Sequence, residues 1–187
     1  MKKLLILFTF CTFTTISKSQ NASVEKSTYG IQTGFLGIWA HNEAKLTNRI
    51  ALRTELGLDA GISVSSYNDS TKFLLAPVIT LEPRWYYNLN KRIKKSRRID
   101  GNSGNFISLK TSFHPDWFVI TNHDNAHVIP NLAIIPTWGI RRNLGNHFNY
   151  ETGIGLGYSH NFNNDTYYMV NKGEAILNLH LRIGYRF

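Results

Sequence analysis

The chain has 187 residues, 21 Lys and Arg against 12 Asp and Glu, and one cysteine. That length suits one domain, a single Cys11 excludes an internal disulfide, and a mean hydropathy of −0.23 with no long apolar run excludes a bundle of membrane helices. The net charge is +9, part of it carried by an N-terminal segment that reads as an export signal.

Met1, Lys2 and Lys3 precede an apolar run over residues 4–13, and small polar residues follow at Ser17 and Ser19. This is the layout of a secretory signal peptide with cleavage near Ser19 and Gln20. It divides the chain into a leader, 1–19, and one domain, 20–187. A membrane anchor needs roughly 20 apolar residues, more than the run supplies. A lipoprotein would use Cys11, which bulky Phe10 and its place inside the run argue against. Cleavage removes Cys11 with the leader, so neither disulfide nor thiolate chemistry is expected afterwards.

From residue 29 onward, period-two alternation recurs and predicts strands. Residues 29–42 form the first candidate. In the second, Ile50, Leu52, Thr54, Leu56, Leu58, Ala60 and Ile62 share one face, with Arg53, Glu55, Gly57, Asp59 and Gly61 opposite. Phe73, Leu75, Pro77, Ile79, Leu81, Pro83, Trp85 and Tyr87 then back onto Thr80, Glu82 and Arg84. A fourth strand sets Ile107, Leu109, Thr111, Phe113, Pro115, Trp117 and Val119 against Ser108, Lys110, Ser112, His114 and Asp116. In the fifth, Val128, Leu132, Ile134, Trp138 and Ile140 oppose Asn131, Thr137, Gly139 and Arg141, with Ile129 and Ile135 blurring the contrast. Phe148, Tyr150, Ile154, Leu156 and Tyr158 oppose Asn149, Glu151 and the glycines Gly153, Gly155 and Gly157, which leave room for large neighbours such as arginine. The last strand, 175–187, sets Leu177, Leu179, Leu181, Ile183, Tyr185 and Phe187 against Asn178, His180, Arg182, Gly184 and Arg186.

These strands are longer than the five or six residues usual in soluble sheets and match the roughly 9–11 that a tilted strand needs to cross hydrocarbon. The apolar faces carry Trp39, Trp85, Tyr87, Trp117, Trp138, Tyr150 and Tyr185 toward strand ends, as an aromatic girdle would. The polar faces carry Arg53, Glu55, Asp59, Glu82, Arg84, Lys110, His114, Asp116, Arg141, Glu151, His180 and Arg182. With both signs present, a paired, plugged interior is expected, because unpaired charge in a confined site is costly. Seven strands are readable, while bacterial single-chain barrels have an even number. The eighth is sought at 165–170 or at 20–27. Pro77, Pro83, Pro115, Pro130 and Pro136 each lack a ladder donor and suggest bulges or strand ends.

The segment 29–61, YGIQTGFLGIWAHNEAKLTNRIALRTELGLDAG, resembles a strand, turn, strand unit of the small outer-membrane β-barrels of Gram-negative bacteria, the Bacteroidetes type in particular, similar to OmpA/OmpX-like barrels. RRNLGNHFNYETGIGLGY from Arg141 looks like a second copy, and the terminal HLRIGYRF, with Ile183, Tyr185 and Phe187, resembles the closing strand and its insertion signal. Matched this way, the first readable strand resembles the family's second. The resemblance implies an up-and-down antiparallel barrel inserted by the barrel-assembly machinery. The loops near 67–71, 122–126 and 161–173 would then face outward and the basic turn at 91–98 the periplasm.

Lys91, Arg92, Lys94, Lys95, Arg97 and Arg98 carry no interleaved aromatics, so a solvated turn or contact with anionic headgroups is the better reading than nucleic acid. His123 and His127, around Asp124, have helical metal-ligand spacing but lie in a loop without an evident third ligand. Ser159 and His160 are adjacent, which points them to opposite faces of a strand, whereas the small-barrel lipid A deacylases require a His-x-Ser arrangement. His114 with Asp116, and His180 with Arg182, are explained by lumen hydrogen bonding. No phosphate loop, dinucleotide fingerprint or zinc-protease motif is present.

The expectation is an all-β, eight-stranded, up-and-down outer-membrane barrel with a structural, adhesive or interaction role. It has no cofactor, metal or nucleic acid, is monomeric, and has membrane lipid and an unidentified extracellular ligand as partners. A narrow pore or lipid A-modifying enzyme on the same barrel, and a soluble secreted or periplasmic β-sandwich binding module, are the alternatives.

Overall fold

The computed structural model describes residues 22–65, 70–122, 128–162 and 172–187. The expected leader with Cys11, the His123, Asp124 and His127 group, and the candidate strand at 165–170 lie outside the described residues. The strands are β1 (Ser27–Gly34), β2 (Gly37–Lys45), β3 (Ile50–Ser65), β4 (Ser70–Tyr86), β5 (Asn105–His114), a two-residue β6 (Ile120–Thr121), β7 (Asn131–Leu144), β8 (Phe148–Asn161) and β9 (Gly173–Arg186). A short helix, α1 (Leu89–Lys94), and a 3-10 turn (Asp100–Asn102) lie between β4 and β5.

Each long strand pairs antiparallel with its neighbour, and β1 pairs with β9 in the register Ile31 with Tyr185, which closes an eight-stranded up-and-down barrel. One closed sheet replaces the two facing sheets a sandwich would need. The extra β6 lies beside β4, pairing Ile120 and Thr121 with Leu75 and Leu74 beyond the end of β5.

The eight strands that close the barrel are all among the described residues, and the one that alternation left unread lies within the first readable segment. Residues 29–42, expected as one strand, are two, folded back at Phe35 and Leu36 so that Gly34 pairs with Gly37. Gly37 has φ +146°, a conformation open to glycine. The turn holds an apolar pair instead of the Asn-Gly or Asp-Gly usual at two-residue hairpins, so the hydrophobic pattern runs through it. The first readable segment therefore supplies both the first and second strands. Residues 22–26, part of the other candidate, pack across the barrel end instead.

Both described termini lie at one rim, with the 46–49 turn, α1, the 3-10 turn and the 145–147 turn. The Phe35 and Leu36 turn lies at the opposite end, with the end of β3, the start of β4, the end of β5, β6, the start of β7, the end of β8 and the start of β9. The first rim is sealed by Ala22, Val24, Ala51, Tyr86, Leu89 and Phe106, with Ile93 and Ile99 packed on them. Each large apolar side chain buried there contributes about 1.5–3 kcal/mol. The basic turn is only partly solvated: Lys91, Lys94, Lys95, Arg97 and Arg98 are exposed, but Arg92 is buried and donates from Nε and Nη2 to the Arg98 carbonyl at 3.0 and 2.7 Å.

At this rim Asp100 receives two hydrogen bonds from Arg98, at 2.9 and 2.7 Å, and a third from Asn143. The Arg98 bonds, ahead of the Asn143 bond and the nearby Arg186 charge, hold its carboxyl below the usual value. A depressed carboxylate stabilises the fold above its unfolded pKa of about 3.9 and loses that contribution as pH falls through the folded value. Asp100→Asn is therefore expected to lower the denaturation midpoint at pH 7 and to lower it less at about pH 2. A midpoint shift of equal size at both pH values would contradict this. The effect is small because the pair is solvent-screened.

Pro115 and Pro130 lie at strand ends, as expected, whereas Pro77, Pro83 and Pro136 lie within strands. The β4 to β5 ladder is interrupted between the Leu81–Thr111 and Arg84–Ser108 pairs, and the β7 to β8 ladder between Ile134–Tyr158 and Thr137–Gly155. Pro83 and Pro136 lie in those gaps, yet the register is the same on either side. They remove donors without forming bulges. Pro115 follows β5 and Pro130 precedes β7. The fourth predicted strand therefore stops at His114, and residues 115–119 leave the wall.

Candidate functional site: a charge-filled lumen

Period-two alternation on a closed sheet sends one set of side chains outward and the other into a common interior. Here the inward set is charged. Glu43, Arg53, Glu55, Glu82, Arg84, Arg141, Glu151 and Arg182 are all buried. Arg84 donates from Nη1 and Nη2 to the two Glu151 oxygens, each at 2.8 Å, and from Nη2 to Glu82 at 2.7 Å. Arg182 donates to both Glu55 oxygens at 2.9 and 3.1 Å. Arg53 Nε also donates to Glu55, and its Nη2 donates to the Gln32 side-chain amide oxygen Oε1 at 2.6 Å.

Glu43 joins this network to the sealed rim. It accepts from Arg141 at 2.7 Å, from the Tyr86 hydroxyl at 2.7 Å and from the Asn102 amide at 2.8 Å. Arg53 lies 3.7 Å from Glu43 and 3.9 Å from Glu151, so each cation faces more than one carboxylate. Such pairs are stable when the remaining donors and acceptors are also matched. Ser108, donating to Glu82 at 2.5 Å, and Gln32, donating to Asn149 at 2.9 Å, do part of that matching.

Toward the loop end, Asp59 accepts from Trp39 Nε1 at 2.6 Å and hydrogen-bonds His114 at 3.0 Å. The other His114 nitrogen meets Asn131 at 3.1 Å. The Arg182 guanidinium lies 3.8 Å over the Trp39 ring, a cation–π contact worth about 2 kcal/mol when desolvated. Trp39, expected in the girdle, thus belongs to the lumen. The new turn at Phe35 and Leu36 decides which way it points.

Of the residues predicted to fill the lumen, Arg53, Glu55, Asp59, Glu82, Arg84, Lys110, His114, Arg141, Glu151, His180 and Arg182 all face inward. Asp116 does not. It is exposed on the segment after β5, and His114 pairs with Asp59 in its place. The space left by Gly153 is taken by the His180 ring, and Gly155 and Gly157 lie against Thr137 and Ile135, so the glycine run accommodates no arginine. Alternation gives no lumen place to Gln32, His41, Glu43, Tyr86 or Asn102, all of which are buried, while Asn149 is inward as its polar face implies. The first three lie on the two strands read as one, where the turn could not be seen.

Trp85, Tyr87, Trp138, Tyr150 and Tyr185 point outward nearer the sealed rim, where Trp138 Nε1 donates to the Tyr87 hydroxyl at 2.9 Å. Trp117 is exposed, but on the irregular segment after β5 rather than on a strand. Tyr158 and Phe162 are exposed on the same side of the barrel. Ser159 faces inward and His160 outward, with no shared site.

The chain matches no protein-family profile, no curated protein and no solved structure.

Proposed function

We propose that this protein is an integral outer-membrane β-barrel with a structural, adhesive or interaction role, non-catalytic and closed to ions. The observation that carries the reading is the inverted polarity of the barrel. Leu56, Leu81, Ile107, Ile134, Ile154, Leu156, Leu177 and Leu181 are exposed on outward positions around the wall, while the buried wall positions hold four arginines and four glutamates beside a few apolar residues such as Val78 and Ile135. An apolar surface that encircles a protein is far larger than the patches a soluble monomer tolerates. It suits the apolar band of a transmembrane barrel, with aromatics toward both ends. No described helix is long and apolar enough to cross a membrane, so crossing would fall to the strands.

In this reading the C-terminal aromatics serve recognition by the assembly machinery, the chain works as a monomer, and the loop segments meet any extracellular ligand. The filled interior supports a closed lumen. Recovery in the outer-membrane fraction, with faster gel mobility unheated than boiled, is the expected result. Recovery as a soluble periplasmic protein would refute it. Planar bilayers containing the protein should stay silent, and a steady conductance would overturn the closed lumen.

A further inference from the structure

The first hairpin is too short for the wall it helps to build. β1 ends at Gly34, level with Arg182, and β2 begins at Gly37, level with Asp59. The neighbouring strands continue beyond the turn. Among the described residues, no strand pairs with 173–181 of β9 on its β1 side, or with 61–65 of β3 on its β2 side. The last link on the β3 side is the Ala60 N–H donating to the Leu36 carbonyl at 2.7 Å. Among the described residues the wall therefore has a notch above the Phe35 and Leu36 turn, bordered by two strand edges without a described partner strand.

The notch lies within the apolar surface. Phe35, at the turn, is 82% exposed, and Leu177, Leu179 and Leu181 project outward along the β9 edge. Free backbone edges are tolerated at hydrocarbon depth only where they are covered or line a cavity. A cavity is present: a space of about 590 Å³ runs from Phe35, Leu36, Leu179 and Leu181 inward to Trp39, Lys110 and Arg182. This falls within the roughly 300–1,000 Å³ of small-molecule sites. At Asp59 and Ala60 it meets a second space of about 430 Å³ beside His114 and Asn131.

Lys110 supplies the second observation. Its residue is 9% exposed and lines the cavity, yet among the described residues its ammonium has no hydrogen bond and no carboxylate within ion-pair distance. The lumen carboxylates are engaged elsewhere: Glu43 with Arg141, Glu55 with Arg53 and Arg182, Asp59 with His114, and Glu82 and Glu151 with Arg84. The ammonium opens onto the cavity, and Glu55, Asp59 and Glu82 act on it without touching it, which leaves it free to take an anion that enters there.

We propose that the notch is a lateral entry for an anionic single-chain amphiphile, with its headgroup at Lys110 and its tail leaving between the Phe35 and Leu36 turn and the Leu179 and Leu181 edge. The proposal rests on the membrane reading above. One cation fits one acidic headgroup, and an apolar exit facing lipid fits a tail that remains in the bilayer.

The test uses the full-length mature protein in zwitterionic-lipid nanodiscs, with a palmitate-length fatty acid carrying a mid-chain diazirine as probe. Photolabel is expected to concentrate on Phe35, Leu36, Leu179 and Leu181. Lys110→Met, or the methyl ester of the probe on wild-type protein, should lower it by about tenfold, whereas Lys110→Arg should retain it. Label spread evenly over outward residues such as Leu56, Leu81 and Ile154, or unaffected by Lys110→Met and by esterification, would overturn the proposal. Heat-modifiable mobility is read in the same samples. If it is present without headgroup-dependent labelling, only the lateral site fails; if it is absent from the wild-type protein, the membrane reading fails as well.

Discussion

Arg84→Met is expected to lower the unfolding free energy by about 3–5 kcal/mol, the cost of stranding buried partners of an ion pair. Arg84 makes two bonds to Glu151 and one to Glu82, and all three side chains are buried. Methionine fills much of the space but leaves two carboxylates short of their cation. The triple variant Arg84→Met, Glu82→Gln, Glu151→Gln should recover most of the loss, because it removes the stranded charges along with the cation. Denaturant titration in lipid vesicles, followed by heat-modifiable mobility, measures both. A change below about 1 kcal/mol in the single variant would mean that the lumen is wetter or looser than its geometry indicates.

Phe106→Ala should be comparably damaging, at about 3–5 kcal/mol. Its fully buried ring lies 5.6 Å from the Tyr86 ring, beneath the Arg84 guanidinium at 4.2 Å, and over Gly139. Removing it opens a cavity between the apolar seal and the charge network. Gly139→Val tests the same contact from the other side: a β-carbon at Gly139 would run into the Phe106 ring, an overpacking that costs about 1–3 kcal/mol. Because the two positions touch, their effects should not add. Gly139→Val should cost less in the Phe106→Ala background than in the wild type. Strict additivity would show that the ring and the glycine are not in contact.

Much of the barrel could be read from the chain because alternation reports which face of a strand a residue occupies. From Ile50 onward that was enough to send Arg53, Glu55, Glu82, Arg84, Arg141, Glu151 and Arg182 to one side and the leucines to the other. Errors arose where parity changes without a polar signal. At Phe35 and Leu36 the chain reverses on two apolar residues, which concealed a strand, sent Trp39 to the wrong face and left Glu43 and His41 unassigned. Past His114 the alternation continues through Trp117 while the backbone departs from the sheet, so alternation alone places Asp116 and Trp117 on a strand that has ended.

The amino-acid sequence by itself determined the architecture and the inside-out distribution of polarity, since side-chain direction in a strand is a local property with a period of two. Only the tertiary structure decided the strand count, the partners of each charge and the gap in the wall. Those depend on where strands stop relative to their neighbours, and on the meeting of residues far apart in the chain, such as Arg182 with Glu55 and Arg141 with Glu43. The sequence marks Lys110 as one more inward base. Closing the barrel pairs the surrounding carboxylates with other groups and leaves that lysine facing the notch.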